Sequence, residues 1–231
     1  MAATASGTPI GTWILAAVAV TSATIAAFQS RIARLLVRPK LDLEVNPEPP
    51  DFHHTLVSHP SAPGAPADAY YFNLRVLNTG NSRAEQVEVF VADVLMQQVD
   101  GSFSRLTSFL PKSLLWSWTL KPFLDALSPG MYAFCTLGHI FDPAQRRQFP
   151  GEALSDADEV RLAGRSAFSV AVQFPSNKPF HILAPGTYQI VLWIAAGNAR
   201  KVEKRLELVL PGEWTVDEAR MLSEGVRIRV L

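Results

Sequence analysis

From residue 70 onward, apolar and polar side chains alternate along the chain. Phe72, Leu74 and Val76 fall on one side of an extended segment, and Asn73 and Arg75 fall on the other. This is the pattern of a strand with one buried face. The polar run NTGNS supplies a turn, since Asn and Gly accept positive φ. Val87, Val89 and Val91 then form the inner face of a second strand, with Glu88 outside. Two such strands around a polar turn read as a hairpin. The alternation returns in Phe168, Val170, Val172 and Phe174, and again in Tyr188, Ile190, Leu192 and Ile194 after the turn APG. Leu206, Leu208 and Leu210 alternate with outward Glu203, Arg205 and Glu207, and the chain ends on Val226, Ile228 and Val230 separated by arginines. Leu41, Leu43 and Val45 mark an earlier strand after Pro39. Residues 46–68, with Pro47, Pro49, Pro50, Pro60, Pro63 and Pro66, read as a loop in which proline blocks regular pairing. Period-two strands between turn signals predict an antiparallel β-sandwich. One short helix is expected near the C-terminus, where Thr215 and Glu218 form a capping box and Gly225 can end the helix. A second helix start at Ser155, in SDADEVRLAG, carries fewer signals.

The first part of the chain follows a different rule. No charged side chain occurs from Met1 to Ser30, and Pro9 to Phe28 is apolar or small throughout. About 20 such residues suffice to cross the hydrocarbon core of a bilayer. A cleaved signal peptide would carry a basic start and a shorter apolar run. The segment is therefore read as a single-pass transmembrane helix. Arg31, Arg34, Arg38 and Lys40 follow it and no cation precedes it, so the positive flank is expected in the cytoplasm with the bulk of the chain. The expected organisation is an anchor with a basic juxtamembrane helix over residues 1–38, then one sandwich domain over residues 39–231.

Composition narrows the function more than it names it. The 21 basic and 21 acidic residues balance, which removes the basic excess expected of a nucleic-acid binder. A single cysteine, Cys135, excludes an internal disulfide framework.

The stretch LRVLNTGNSRAEQVEVFV is similar to the opening hairpin of bacterial cell-adhesion-related domains, and LAPGTYQIVLWIAAGNA looks like their penultimate hairpin. The chain as a whole resembles uncharacterised single-pass bacterial membrane proteins. That resemblance implies an immunoglobulin-like sandwich and brings no assigned chemistry. The relatives of the sandwich are mostly extracellular, and the basic flank here departs from that.

Motifs for chemistry are sparse. NTGNS lacks the Gly-Lys-Ser/Thr ending of a phosphate loop, and no serine sits in a nucleophile elbow. Two segments concentrate candidate ligands: Asp51, His53, His54 and His59, and then Cys135, His139 and Asp142. Their spacing fits no defined zinc signature. His53, His54, Cys135 and His139 are thus kept only as weak metal candidates, and no cofactor is expected. The histidines of the Pro-rich loop read as solvated, and Cys135 reads as a small core residue. Asp156, Asp158 and Glu159 read as a solvated helix start rather than a calcium loop. Trp116 and Trp118 share one face if they belong to one strand, and are either core or a contact surface for a partner.

The resulting expectation is a bacterial inner-membrane protein whose cytoplasmic domain binds an unknown protein partner without catalysis. Its helix binds the lipid bilayer, and nucleic acid is excluded. Two alternatives stand beside this reading. One is an exported adhesion or carbohydrate-binding module. The other is a hydrolase, cysteine- or metal-dependent, built on Cys135 and nearby histidines.

Overall fold

The computed structural model describes residues 38–58, 66–149, 154–173 and 180–231, together with Trp13, Leu15, residues 17–25, Phe28 and Glu152. The chain divides into two compact units, Met1–Arg38 and Pro39–Leu231. In the first unit, residues 17–25 are helical and their side chains are exposed, Val18, Val20 and Ile25 among them. Among the described residues no helix is long and apolar enough to cross a membrane. Much of the proposed span, with Arg31 and Arg34, lies outside the described residues.

The second unit is mainly β and holds two antiparallel sheets. The first sheet contains β1 (Leu41–Glu44), β2 (Phe52–Val57), β3 (Ala67–Asn78), β7 (Leu115–Trp116), β9 (Tyr132–Phe141), β10 (Phe168–Val170) and β11 (Ile182–Leu183). The second contains β4 (Ala84–Gln97), β5 (Phe103–Arg105), β6 (Lys112–Ser113), β8 (Phe123–Leu127), β12 (Gly186–Ala196), β13 (Ala199–Leu210) and β14 (Arg227–Val230). In the first sheet β3 and β9 lie side by side, with β1 and β2 in tandem along the free edge of β3. In the second sheet β4, β12, β13 and β14 follow one another, and β5, β6 and β8 share the far edge of β4. Most inward positions read from the alternation are buried, whereas Val45 is partly buried, Val230 is exposed and Phe174 lies outside the described residues. Phe72, Leu74 and Val76 of β3 share one apolar core with Val87, Val89 and Val91 of β4, Ile190 and Leu192 of β12, and Leu206 and Leu208 of β13.

The two strands expected to form the opening hairpin do not pair with each other. β3 lies in the first sheet and β4 in the second, so residues 79–83 form an arch across the sandwich. Opposed sheets stand about 10 Å apart, a distance that five linking residues span easily. Asn78 fixes this arch from inside. Its side chain is fully buried, accepts from Lys40 N at 3.2 Å and Gly80 N at 3.1 Å, and donates to Ser82 O at 2.7 Å and Leu127 O at 2.9 Å. One amide thereby ties the start of β1 to the end of β8. The later hairpin, β12 with β13, pairs directly through Ala196 and Ala199.

Two further expectations are corrected. The Pro-rich loop contains β2, which pairs with β3 from Phe52 opposite Phe72 to Val57 opposite Ala67. The prolines flank residues 51–58 without entering them, so the ladder keeps its N–H donors. The helix start read at Ser155 is present. Asp156–Leu162 is helical, with Ser155 accepting from Asp158 N and Ala163 closing it at φ 50°. Glu159 of this helix is not solvated but is clasped by the buried Arg146, whose Nε donates at 3.0 Å. Near the C-terminus the cap is Asp217 rather than Thr215. Helical residues Glu218–Arg220 continue into a wider turn over Met221–Gly225.

A candidate binding groove

Alternation on β3 turns Phe72 into the core, so Tyr71 and Asn73 face outward from the first sheet. Cross-strand pairing then assembles a row over that outer face. His53 of β2 stands opposite Tyr71 of β3, Tyr71 opposite His139 of β9, and His139 opposite Ser169 of β10. Directly opposed side chains in a ladder lie close enough to touch. The His53 ring stacks near Tyr71 at 6.1 Å between centroids, and Tyr71 lies 5.3 Å from His139.

A β-bulge sets the composition of this face. Phe72 pairs with Gly138 but Asn73 pairs with Thr136, which leaves Leu137 as an extra residue on β9. Across that extra residue the parity of the strand inverts. Thr136 and His139, three apart, both face outward. Cys135 and His139, four apart, face opposite ways, with Cys135 fully buried in the core and its thiol over Leu115 O at 3.6 Å. Burial drives the thiol pKa far upward. Gly138 permits the tight packing here. A Cβ at that position would stand 2.3 Å from Ser169 O and 2.4 Å from the Phe168 ring.

Glu152 closes one end of the row. Its Oε1 accepts from His139 Nε2 at 2.9 Å and from Ser169 Oγ at 2.9 Å. Burial by itself would raise the carboxyl pKa. The hydrogen bonds from His139 and Ser169, with the positive character of His139 and His181, instead bring it below the ordinary glutamate value. The same burial, and the Glu152 charge, push the Tyr71 phenol upward. Ser169 donates to the carboxylate and not to an imidazole, so the trio lacks the base-to-hydroxyl contact that activates a nucleophile.

The next row is neutral. Asn73 Oδ1 accepts from Ser117 Oγ and from Thr136 Oγ1, each at 3.0 Å, and the two hydroxyls lie 2.9 Å apart. Asn73 is only 7% exposed, yet its Nδ2 makes no hydrogen bond to a described residue. If the amide were turned over, one of its two polar atoms would still be left over. His53 Nδ1 faces Pro50 O at 3.0 Å. A carbonyl accepts only, so this nitrogen carries a proton, and in the neutral imidazole Nε2 is left as an acceptor.

The groove enclosed by these residues has a volume of about 800 Å³, within the usual range of ligand clefts. Among the described residues no lysine or arginine lines it. Its rim is apolar and open: Trp118 is 87% exposed, Leu120 71% and Leu56 62%. Trp116 and Trp118 do not share a face. Trp116 ends β7 and is buried at 2% exposure. The chain then turns over Trp116 O, which accepts from Thr119 N and Leu120 N, and Leu120 takes φ 52°. That turn ejects Trp118 into solvent and leaves Ser117 on the groove floor. A second cleft, of about 760 Å³, is lined by Met96, Leu106 and Tyr188 among others. Two polar side chains lining it are already engaged, Arg165 on Pro211 O and Tyr188 on Ala184 O.

The other residues singled out from the sequence are dispersed. His54 lies on the other side of β2 from His53, bonded to Asp68 at 2.8 Å. Asp51 is buried in a two-pronged pair with Arg75, at 2.6 and 2.8 Å. Asp142 accepts from Ala144 N. His59 lies outside the described residues. Among the described residues no group of three or more His, Cys, Asp or Glu is placed to hold a metal ion. Asn73, Thr136, Ser117 and Glu152 were not legible as site residues. Asn73 and Thr136 look like ordinary outward strand positions, and Glu152 stands in a connection with no motif around it.

The chain matches no known family model, and no curated protein is significantly similar to it.

Proposed function

We propose that this is a membrane-tethered, non-catalytic binding module with an immunoglobulin-like sandwich, and that its working surface is the groove on the outer face of the first sheet. The observation that carries the binding reading is the contrast within that groove. An exposed apolar rim of Leu56, Trp118 and Leu120 borders a floor where the nearly buried Asn73 keeps an amide nitrogen with no hydrogen-bond partner among the described residues. Exposed apolar side chains grouped about a cleft mark a contact surface rather than a solvated one. The absence of catalysis is supported by the direction of the Ser169 hydrogen bond and by the buried thiol of Cys135.

The tether is supported by the sequence from Pro9 to Phe28, which is uncharged, and by the exposure of apolar side chains around helical residues 17–25. A helix apolar on every side is suited to lipid and not to water. The cationic flank Arg31, Arg34, Arg38 and Lys40 favours a cytoplasmic sandwich. The chain should remain in the membrane fraction through an alkaline carbonate wash. Alkaline phosphatase fused after Leu231 should be inactive, and a fluorescent protein fused there should glow. Release by carbonate would remove the tether from this reading. An active phosphatase would place the domain outside and favour an exported adhesion-like module.

A further inference from the structure

We infer that the groove takes a neutral, ring-shaped polyhydroxylated ligand, a saccharide, laid against Trp118 with its hydroxyl edge toward Asn73. This rests on the reading of the groove as a binding surface. Charge narrows the ligand first. Among the described residues no lysine or arginine lines the cleft, and the positive character of His139 and His181 is already directed at Glu152, so a phosphate or carboxylate ligand would enter beside a buried carboxylate without a cation of its own. A cationic ligand fares no better, since the Glu152 carboxylate already receives His139 and Ser169 and is itself mostly buried. A neutral ligand remains.

The floor then selects hydroxyl groups. It offers a donor at Asn73 Nδ2, an acceptor at His53 Nε2 of the neutral ring, and the acceptor lone pairs of Ser117 and Thr136, whose hydroxyl protons go to Asn73. A hydroxyl donates and accepts at one atom, so it can answer each of these without a fixed pattern. An extended peptide binds sheets along an open strand edge through its backbone. Here the floor is the face of a sheet, and what it presents is side chains. The rim supplies the remaining element. A pyranose ring carries an apolar C–H face, and the 87% exposed indole of Trp118 offers a flat apolar surface beside the polar floor. A volume of about 800 Å³ accommodates a short oligosaccharide rather than a single sugar.

The test uses the full-length chain in a detergent without a sugar headgroup. Neutral trisaccharides of glucose, mannose, galactose, xylose and N-acetylglucosamine are titrated in, beside a galacturonic acid trimer, by calorimetry. At least one neutral trisaccharide should bind at millimolar concentration or below, and the acidic trimer should not. Trp118→Ala should abolish that binding with an unchanged melting temperature, because the side chain is exposed. Asn73→Ala should weaken it about tenfold, the loss expected of one hydrogen bond to a neutral group; Asn73→Asp is the check should the alanine variant unfold, and it should weaken binding too. The inference is overturned if no neutral sugar binds, if only the acidic trimer binds, or if Trp118→Ala and Asn73→Asp leave affinity unchanged. A photo-crosslinking residue replacing Leu120 in cells separates the two levels. A protein adduct lost with Trp118→Ala, alongside a silent sugar panel, removes the saccharide and keeps the groove. Neither sugar binding nor a Trp118-dependent adduct removes both.

Discussion

The outer face of the second sheet is closed by its own side chains, and the outer face of the first sheet is not. On the second, Arg229 Nε reaches Glu207 at 2.6 Å and Arg205 reaches Glu203 at 3.5 Å. Trp193 donates to Glu203 at 3.2 Å, stacks on Phe90 at 6.0 Å and is covered by the Lys201 ammonium at 3.7 Å. Aromatic and charged groups there occupy one another. On the first sheet Trp118 stays 87% exposed, and among the described residues the Asn73 amide nitrogen meets no hydrogen-bond partner. Both faces arise from the same strand alternation, so alternation alone does not make a site. The second sheet carries register shifts of its own, so the difference comes from the ejecting turn before Trp118 and the Glu152 carboxylate on the first sheet.

If the two faces share one core, damage to that core should dwarf damage to either surface. Ile190→Ala removes a fully buried side chain under both sheets and should cost about 2–5 kcal/mol in denaturant unfolding. A loss no larger than that of Gln189→Ala would mean the register is misplaced by one residue. Gly138→Ala should come next, at about 1–3 kcal/mol, because its Cβ has backbone and a core ring in the way. That penalty should carry a change at the groove, since Ser169 must move, and should leave the second-sheet face alone.

Glu152→Ala should cost about 1–3 kcal/mol at neutral pH, by leaving His139 and Ser169 without their acceptor. The pH dependence has a definite sign. The folded-state pKa of Glu152 lies below its value of about 4.5 in the unfolded chain. Its stabilisation is therefore fully present above that value and is lost as the pH falls through the folded pKa. An acid titration of Glu152→Gln should lack this part of the slope. An acid limb identical to that of the native chain would show that the carboxylate is not held as described. The smallest effect is expected on the second sheet, where Arg229→Ala breaks a pair with a well-exposed arginine and should stay within about 0.5 kcal/mol.

These contrasts also mark what was legible in the sequence. Burial of Phe72, Val89, Ile190 and Leu208 follows from period-two spacing, because that spacing reports which way a side chain points. It does not report which strand lies alongside. Residues 70–91 have the same pattern whether they form a hairpin or an arch, and the buried amide of Asn78 favours the arch. Parity fails wherever a strand gains a residue. Cys135 and His139 count as one face in a regular strand, and Leu137 sends them to opposite faces. β2 was hidden because proline density was averaged across a stretch whose middle contains none. Trp116 and Trp118 share a face only if one strand holds both, and a turn closed on Trp116 O separates them. Glu152 could not have been found, as its role depends on three residues brought from β9, β10 and a connection.

If the groove is the working surface, the outer face of the first sheet is occupied in the cell and that of the second is not. Leu120→Cys beside the groove and Arg205→Cys on the second sheet place thiols at positions exposed in the structure, while Cys135 stays buried and silent. Labelling by a membrane-permeant maleimide is compared between intact cells and the purified full-length chain. Cys at position 120 should label readily in the purified chain and be protected in cells, with position 205 labelling equally in both. Equal labelling at position 120 in cells and in purified protein, or protection at position 205 instead, would contradict this reading.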